Sequence, residues 1–184
     1  MGRRKLWPVL LLLGWGAFGA ALPRASLVAS PRPLATTPGP AWLRDLVEAR
    51  PLAGFGVDLA VDRADRPHLS SSDAQGIRYA RWTGSEWESE PVDASRDALP
   101  HRTSIAIDQA EQPHVLYGRG DIGLWYARRG TTWQIEAVTT IAGSAGAVGL
   151  RLDAQDTPHA VYEWHASQDA PSQVVYASRG PLEW

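Results

Sequence analysis

Hydrophobic and polar positions alternate along residues 42–184 in short runs interrupted by glycine, proline and aspartate. In 104–108, Ile105 and Ile107 flank Ala106. The runs 113–118 and 122–128 follow, and 132–138 places Trp133, Ile135 and Val138 on a fourth. Runs of about four to eight residues with a period of two, bounded by turn formers, predict β-strands. The connection 108–113 (DQAEQP) is short enough to join antiparallel neighbours only. One unit therefore predicts four antiparallel strands.

The unit recurs. Asp62, Asp108 and Asp153 are spaced 46 and 45 residues apart. Pro67-His68, Pro113-His114 and Pro158-His159 keep that spacing, and Tyr79-Ala80, Tyr126-Ala127 and Tyr176-Ala177 follow. A glycine and then a tryptophan close each copy: Gly84 and Trp87, Gly130 and Trp133, Gly180 and Trp184. Gly39 and Trp42 fit the same frame. Four antiparallel strands every ~45 residues is the signature of a propeller blade. The expected fold is all-β, a β-propeller of four-stranded antiparallel blades in three repeats.

The repeated residues read as scaffold. Asp62, Asp108 and Asp153 each end a strand at a tight turn, where a carboxylate accepts backbone N–H groups. Proline opens the next strand, where its missing N–H is not needed. His68, His114 and His159 are expected to bond neighbouring backbone. Equivalent positions on successive blades lie too far apart to share a metal at ~2.0–2.1 Å, so no metal site is expected. Trp42, Trp87, Trp133 and Trp184 read as core between blades.

The pattern S-[LI]-A-[IV]-D-x4-P-H-[VI]-x-Y, then [LI]-x-Y-A, then G-x-x-W-x-x-E-x-V resembles the blade repeat of secreted bacterial β-propellers, the broad sialidase-like and lectin-like group. The resemblance runs over roughly residues 42–184. It implies an exported, non-catalytic propeller that recognises a glycan or a protein on an extracellular surface. The alternatives are a fragment of a sialidase-like glycoside hydrolase and a structural assembly module without a ligand. The sialidase Asp-box, S-x-D-x-G-x-x-W, is not present in that form.

Closed propellers take about 4–8 blades, and three repeats fall short. Residues 42–47 (WLRDLV) read as a fourth strand without its first three, and the third copy reaches only Trp184, the opening of its own fourth. The repeats form a permuted set: an orphan outer strand, two full blades, and a third lacking its outer strand. Either the chain belongs to a longer propeller, or a homo-oligomer of two copies completes a six-bladed ring about a twofold axis. An open monomer would leave strand edges unpaired.

Composition adds an address. Arg3, Arg4 and Lys5 precede an uncharged stretch from Leu6 to Leu22, followed by small residues at Gly19, Ala20 and Ala21. That is the layout of a cleaved secretory signal over 1–21, giving a secreted or periplasmic protein with no membrane span in the mature chain. Residues 22–41 hold five prolines and no acidic residue, and read as a linker before the repeat domain at 42–184. The chain has no cysteine, hence no disulfide framework and no thiolate metal site. Without Arg3, Arg4 and Lys5, 15 basic residues face 20 acidic ones, and this mildly acidic balance argues against nucleic acid.

Residues that break the repeat are the candidates for function, since the scaffold already explains those that make it. The loops from fourth to first strand and from second to third strand build one rim of a propeller. They carry Arg96, Asp97, His101 and Arg102 in one loop, and Arg119 and Asp121 in another. The enlarged loop 164–171 adds Trp164, His165 and Asp169. An aromatic plate beside Asp, His and Arg suits a sugar, whose apolar face stacks while its hydroxyls bond. Glycoside hydrolysis would need two carboxyls at a set separation, and no motif assigns a pair. No catalytic residue and no cofactor is expected.

Overall fold

The computed structural model describes residues 43–51, 53–54, 56–95, 102–120, 123–140, 143–167, 169–181 and 183–184. The expected signal (1–21), the linker (22–41) and Trp42 lie outside them. The first blade is β1 (Val57–Val61), β2 (Pro67–Asp73), β3 (Gly76–Trp82) and β4 (Trp87–Asp93). The second is β5 (Thr103–Ile107), β6 (Pro113–Gly118), β7 (Leu124–Arg129) and β8 (Trp133–Thr139). The third holds β9 (Ser144–Leu152), β10 (Pro158–His165) and β11 (Gln173–Ser178). Every strand pairs antiparallel with its sequence neighbour, in the up-and-down order of propeller blades. The fold is an all-β propeller segment of three blades. Among the described residues no helix is long and apolar enough to cross a membrane.

Each blade is locked by the same three side chains. In the first, Asp62 Oδ1 accepts the N–H groups of Ala64 (2.8 Å) and Arg66 (2.9 Å), closing the turn between β1 and β2. The turn places Asp65 at φ 57°, and its sisters Glu111 and Asp156 at 60° and 61°. Left-handed non-glycine residues need such over-determined turns. The remaining carboxylate oxygen meets His68 Nε2 at 3.2 Å, and His68 Nδ1 meets the Tyr79 hydroxyl at 2.6 Å. A carboxylate only accepts, so Nε2 carries the proton and Nδ1 accepts from tyrosine. Asp108, His114 and Tyr126 repeat the arrangement, as do Asp153, His159 and Tyr176. The histidines thus bond side chains on either side of them, where neighbouring backbone was expected. One Asp–His–Tyr chain ties the first three strands of a blade together.

Blades stack through both faces of each sheet. Ile77, Tyr79 and Val92 of the first blade pack with Ile105, Val115 and Tyr117 of the second. Leu116, Leu124 and Tyr126 on the opposite face of the second pack with Leu150, Ala160 and Tyr162 of the third. β6 is consequently buried along its whole length. Innermost strands, which do not pair between blades, are tied by side chains. Asp58 accepts the Ser104 hydroxyl (2.8 Å) and the Ile105 N–H (2.9 Å), and Ser104 accepts the Leu150 N–H (3.1 Å). At the outer edge, Trp133 meets Tyr79 of the preceding blade edge-on with ring centres 5.6 Å apart, and Trp184 meets Tyr126 at 5.1 Å. These two tryptophans lie between blades. Trp87 lies instead against Trp82 of its own blade.

Two segments depart from the expected elements. Residues 43–50 form no strand. In the third copy the apolar alternation of β10 continues through Tyr162 to Trp164, past a bulge, so that Trp164 pairs with Ala145 and His165 with Ser144. The first two residues of the expected loop 164–171 are therefore strand. Small residues permit it: Gly143, at φ 146°, has the Trp164 ring where a Cβ would stand, at 2.6 Å.

Two expected outcomes follow from this packing. Leu116→Ala and Leu150→Ala should each lower the urea-unfolding free energy by about 2–5 kcal/mol, whereas Thr131→Ala, in an exposed turn, should stay within about 0.5 kcal/mol. The second outcome concerns pH. Burial holds the His114 pKa below its ordinary value despite the adjacent Asp108 carboxylate. The unfolded imidazole takes a proton near pH ~6.5. Below that pH the unfolded chain binds more protons, so stability falls as pH falls. Unfolding compared at about pH 7.5 and 5.5 should lose up to ~1.4 kcal/mol per unit through this group. His114→Gln should flatten the dependence; an unchanged slope would contradict the assignment.

Candidate functional site

The inter-blade ties create a cleft that occurs twice. In the first, the carboxylate of Glu90 on β4 accepts Arg129 Nε (2.6 Å) and Trp133 Nε1 (2.9 Å) from the second blade. In the second, Glu136 on β8 accepts Arg179 Nε (2.5 Å) and Trp184 Nε1 (3.1 Å) from the third. Each tie forms one wall of a hollow, of about 440 Å³ and 180 Å³ respectively. Tyr79 or Tyr126 contributes to the floor, and Pro113 or Pro158 to the opposite wall. Burial pushes both tyrosine pKa values up, so both hydroxyls remain neutral donors to their histidines.

The lip of each cleft is where the copies differ. The first carries Arg81 and Glu88, paired at 2.8 Å and both more than half exposed. The second carries Arg128, Gln134 and the partly exposed Ile135 at the matching positions. An exposed ion pair contributes about 0–1 kcal/mol, so a ligand can replace it at little cost. A guanidinium beside a carboxylate or amide, over a rigid floor, donates to and accepts from neighbouring hydroxyls.

Two further hollows lie where the innermost strands approach one another. The larger, about 480 Å³, is lined by Asp62, Asp108 and Asp153. Their carboxylates are engaged by turn N–H groups and histidines. Backbone donors and the histidine and arginine contacts hold the Asp62 carboxyl well below the usual range, against the opposing effect of burial. These groups have little capacity left for a ligand, and this hollow is not the best site. The other, about 410 Å³, is lined by Asp58, Arg102 and Arg151. Among the described residues no three His, Asp or Glu side chains are grouped to hold a metal.

The rim residues do not form the constellation expected of them. Arg96, Asp97, His101 and Asp121 lie outside the described residues. Arg102 is exposed beside the second axial hollow. Arg119 is half-buried, lying 4.8 Å over the Trp125 ring with Asp93 at 3.7 Å. His165 faces Glu163 at 3.2 Å, and Asp169 is exposed. Trp164 corrects the expectation most clearly. It stands in β10, is 7% exposed, and packs with Tyr162 in the core, so it is no stacking plate on a loop. Its alternation with Ala160 and Tyr162 carried that signal. Glu90 and Glu136 went unassigned, although an acid three residues after each tryptophan was visible in the repeat. Their arginine partners on the next blade were not.

No protein-family model matches the chain, and no curated protein matches it. Among solved structures, a fucose lectin from Kordia zhangzhouensis in complex with methyl-fucoside superposes with a TM-score of 0.50 at 14% identity, over 70% of this chain and 100% of the lectin chain. A GH43 glycoside hydrolase, engineered to display both endo-xylanase and exo-arabinofuranosidase activity, superposes with a TM-score of 0.48 at 16% identity, over 72% of this chain. The chain spans 27% of that hydrolase. The likeness to the lectin is one of fold, and it agrees with the propeller architecture of the three sheets.

Proposed function

We propose that the chain is a non-catalytic carbohydrate-recognition propeller, exported by its N-terminal segment, whose sugar sites are the clefts between blades. The observation that carries this reading is the recurrence of one cleft, with its Glu–Arg wall kept and its polar lip varied. A kept wall is scaffold, and a varied lip is where specificity resides. The first lip offers the guanidinium of Arg81 and the carboxylate of Glu88 side by side, which suits the alternating donors and acceptors of a polyol. Hollows of a few hundred Å³ suit one or two sugar rings better than a protein surface. The fucose lectin of similar fold adds support for a glycan.

Retention on a panel of immobilised methyl glycosides, methyl-fucoside included, tests the reading. The chain should bind at least one. Arg81→Ala with Arg128→Ala should weaken that binding at least ~10-fold, about 1.4 kcal/mol, with the circular dichroism unchanged. Arg102→Ala, at the rim, should leave it intact. A blank panel, or loss with Arg102→Ala alone, would remove the clefts as the site. Turnover of chromogenic glycosides would move the reading to hydrolysis.

A further inference from the structure

Residues 43–50 have no strand partners, yet part of this segment sits as a fourth strand would. Trp87 Nε1 donates to Asp45 Oδ2 at 3.1 Å, just as Trp133 donates to Glu90 and Trp184 to Glu136. Asp45 lies three residues after Trp42, as Glu90 lies three after Trp87. Three residues further on, Glu48 accepts the Ser71 hydroxyl at 3.0 Å, while Asp93, three after Glu90, accepts the Tyr117 hydroxyl at 2.9 Å. Ser71 and Tyr117 hold the same place in β2 and β6. The segment 45–48 therefore occupies the outer-strand position of a blade standing before the first one, whose other three strands are not among the described residues.

The complementary gap is on the third blade. Among the described residues the third blade has three strands, and β11 is its outer edge. Repeat-equivalent positions measure what each open face lacks. Ile105 and Leu150, each covered by a preceding blade, are 2% and 0% exposed, whereas Leu59 at the same position is 55% exposed. Tyr79 and Tyr126, each capped by the next blade's tryptophan, are 6% and 3% exposed, whereas Tyr176 is 65% exposed. Val57 and Val61 flank Leu59 on one open face, and Val174 accompanies Tyr176 on the other.

We infer that both faces are docking surfaces for a second copy of this chain, joined head to tail so that residues 43–48 of one copy complete the third blade of the other. The two faces differ from each other and are each other's complement, as the internal junctions demonstrate. A second copy delivers the missing strand already attached, through Asp45 and Glu48, to the blade that must stack on Tyr176. Trp87 of that copy then takes the place that Trp133 and Trp184 take at the internal junctions. Leu59 N–H, which at the other junctions would need a side-chain acceptor from the preceding blade, is served by its own neighbour Asp58 at 2.9 Å. Gly149, the residue opposite, has no side chain to offer. Two copies give six blades, within the range of closed propellers, and the closing contact is made twice about a twofold axis.

The register is specific enough to test. Arg78 pairs with Pro91, and Trp125 with Ala137. The equivalent pair across the new junction is Val175 with Leu46. Cross-strand partners have Cα separations of ~4.5–5.5 Å, within reach of a disulfide, and the chain has no cysteine of its own to interfere. Under mild oxidation the double variant Leu46→Cys with Val175→Cys should run as a covalent dimer on a non-reducing gel, while neither single variant should form this bond in good yield. Light scattering of the unmodified chain should give twice the chain mass, and Leu59→Glu and Val174→Glu, both at exposed positions outside the Asp–His–Tyr locks, should each give folded monomer. A monomeric unmodified chain would assign the faces to other blades and overturn the inference. A dimer indifferent to Val174→Glu, or an open polymer, would overturn it as well.

Discussion

The middle four-stranded blade is apolar on both faces, and each face is covered by a neighbouring blade. That constraint governs the rest. β6, in the middle of the middle blade, has apolar side chains on each face and is buried throughout. Fully burying one Val, Leu or Ile contributes about 1.5–3 kcal/mol, and each junction buries several. The Arg–Glu ties at the outer edge are partly exposed and contribute at most about 1 kcal/mol each. Burial holds the blades together, and the polar ties set their register.

The polar residues inside this stack are arranged so that none is left without a partner where the repeat is strongest. Asp, His and Tyr form a closed sequence of donors and acceptors within each blade, ending in turn N–H groups. A buried carboxylate costs several kcal/mol unless paired and hydrogen-bonded, and here it accepts backbone, imidazole and, in the first two blades, guanidinium together. The lock leaves most of the outer lip of each cleft without structural duty, Arg128 on Asp108 being the exception. Glu88 can become Gln134 in the next copy without disturbing the floor, since that position touches neither the Asp–His–Tyr lock nor the core. A repeat built this way can vary its surface chemistry blade by blade while the scaffold stays constant.

Where the repeat itself lapses, the lapses have local causes. Trp125 and Arg119 in the second blade stand where the first has Arg78 and Asp73, and the two bury their Nε1 and Nε atoms without hydrogen-bond partners. In the third blade the same region is filled by Tyr162 and Trp164, and β9 and β10 lengthen to carry them. A single repeated frame thus accommodates a polar cluster at one junction and an apolar one at the next.

The strand order, the turn aspartates and the blade period were legible in the sequence because they depend on local chemistry repeated at fixed spacing. Alternation sets the faces of a strand, and proline and aspartate set its ends. The observed β6 runs from Pro113 to Gly118, as the pattern implies. The sequence could not say that His114 would bond Tyr126, that Glu90 would face Arg129, or that Trp164 would turn inward beyond a bulge. Each of those depends on how far one blade is rotated against the next and how closely two strands approach. Only the assembled stack determines such distances, because burial is indifferent to direction while a hydrogen bond is not.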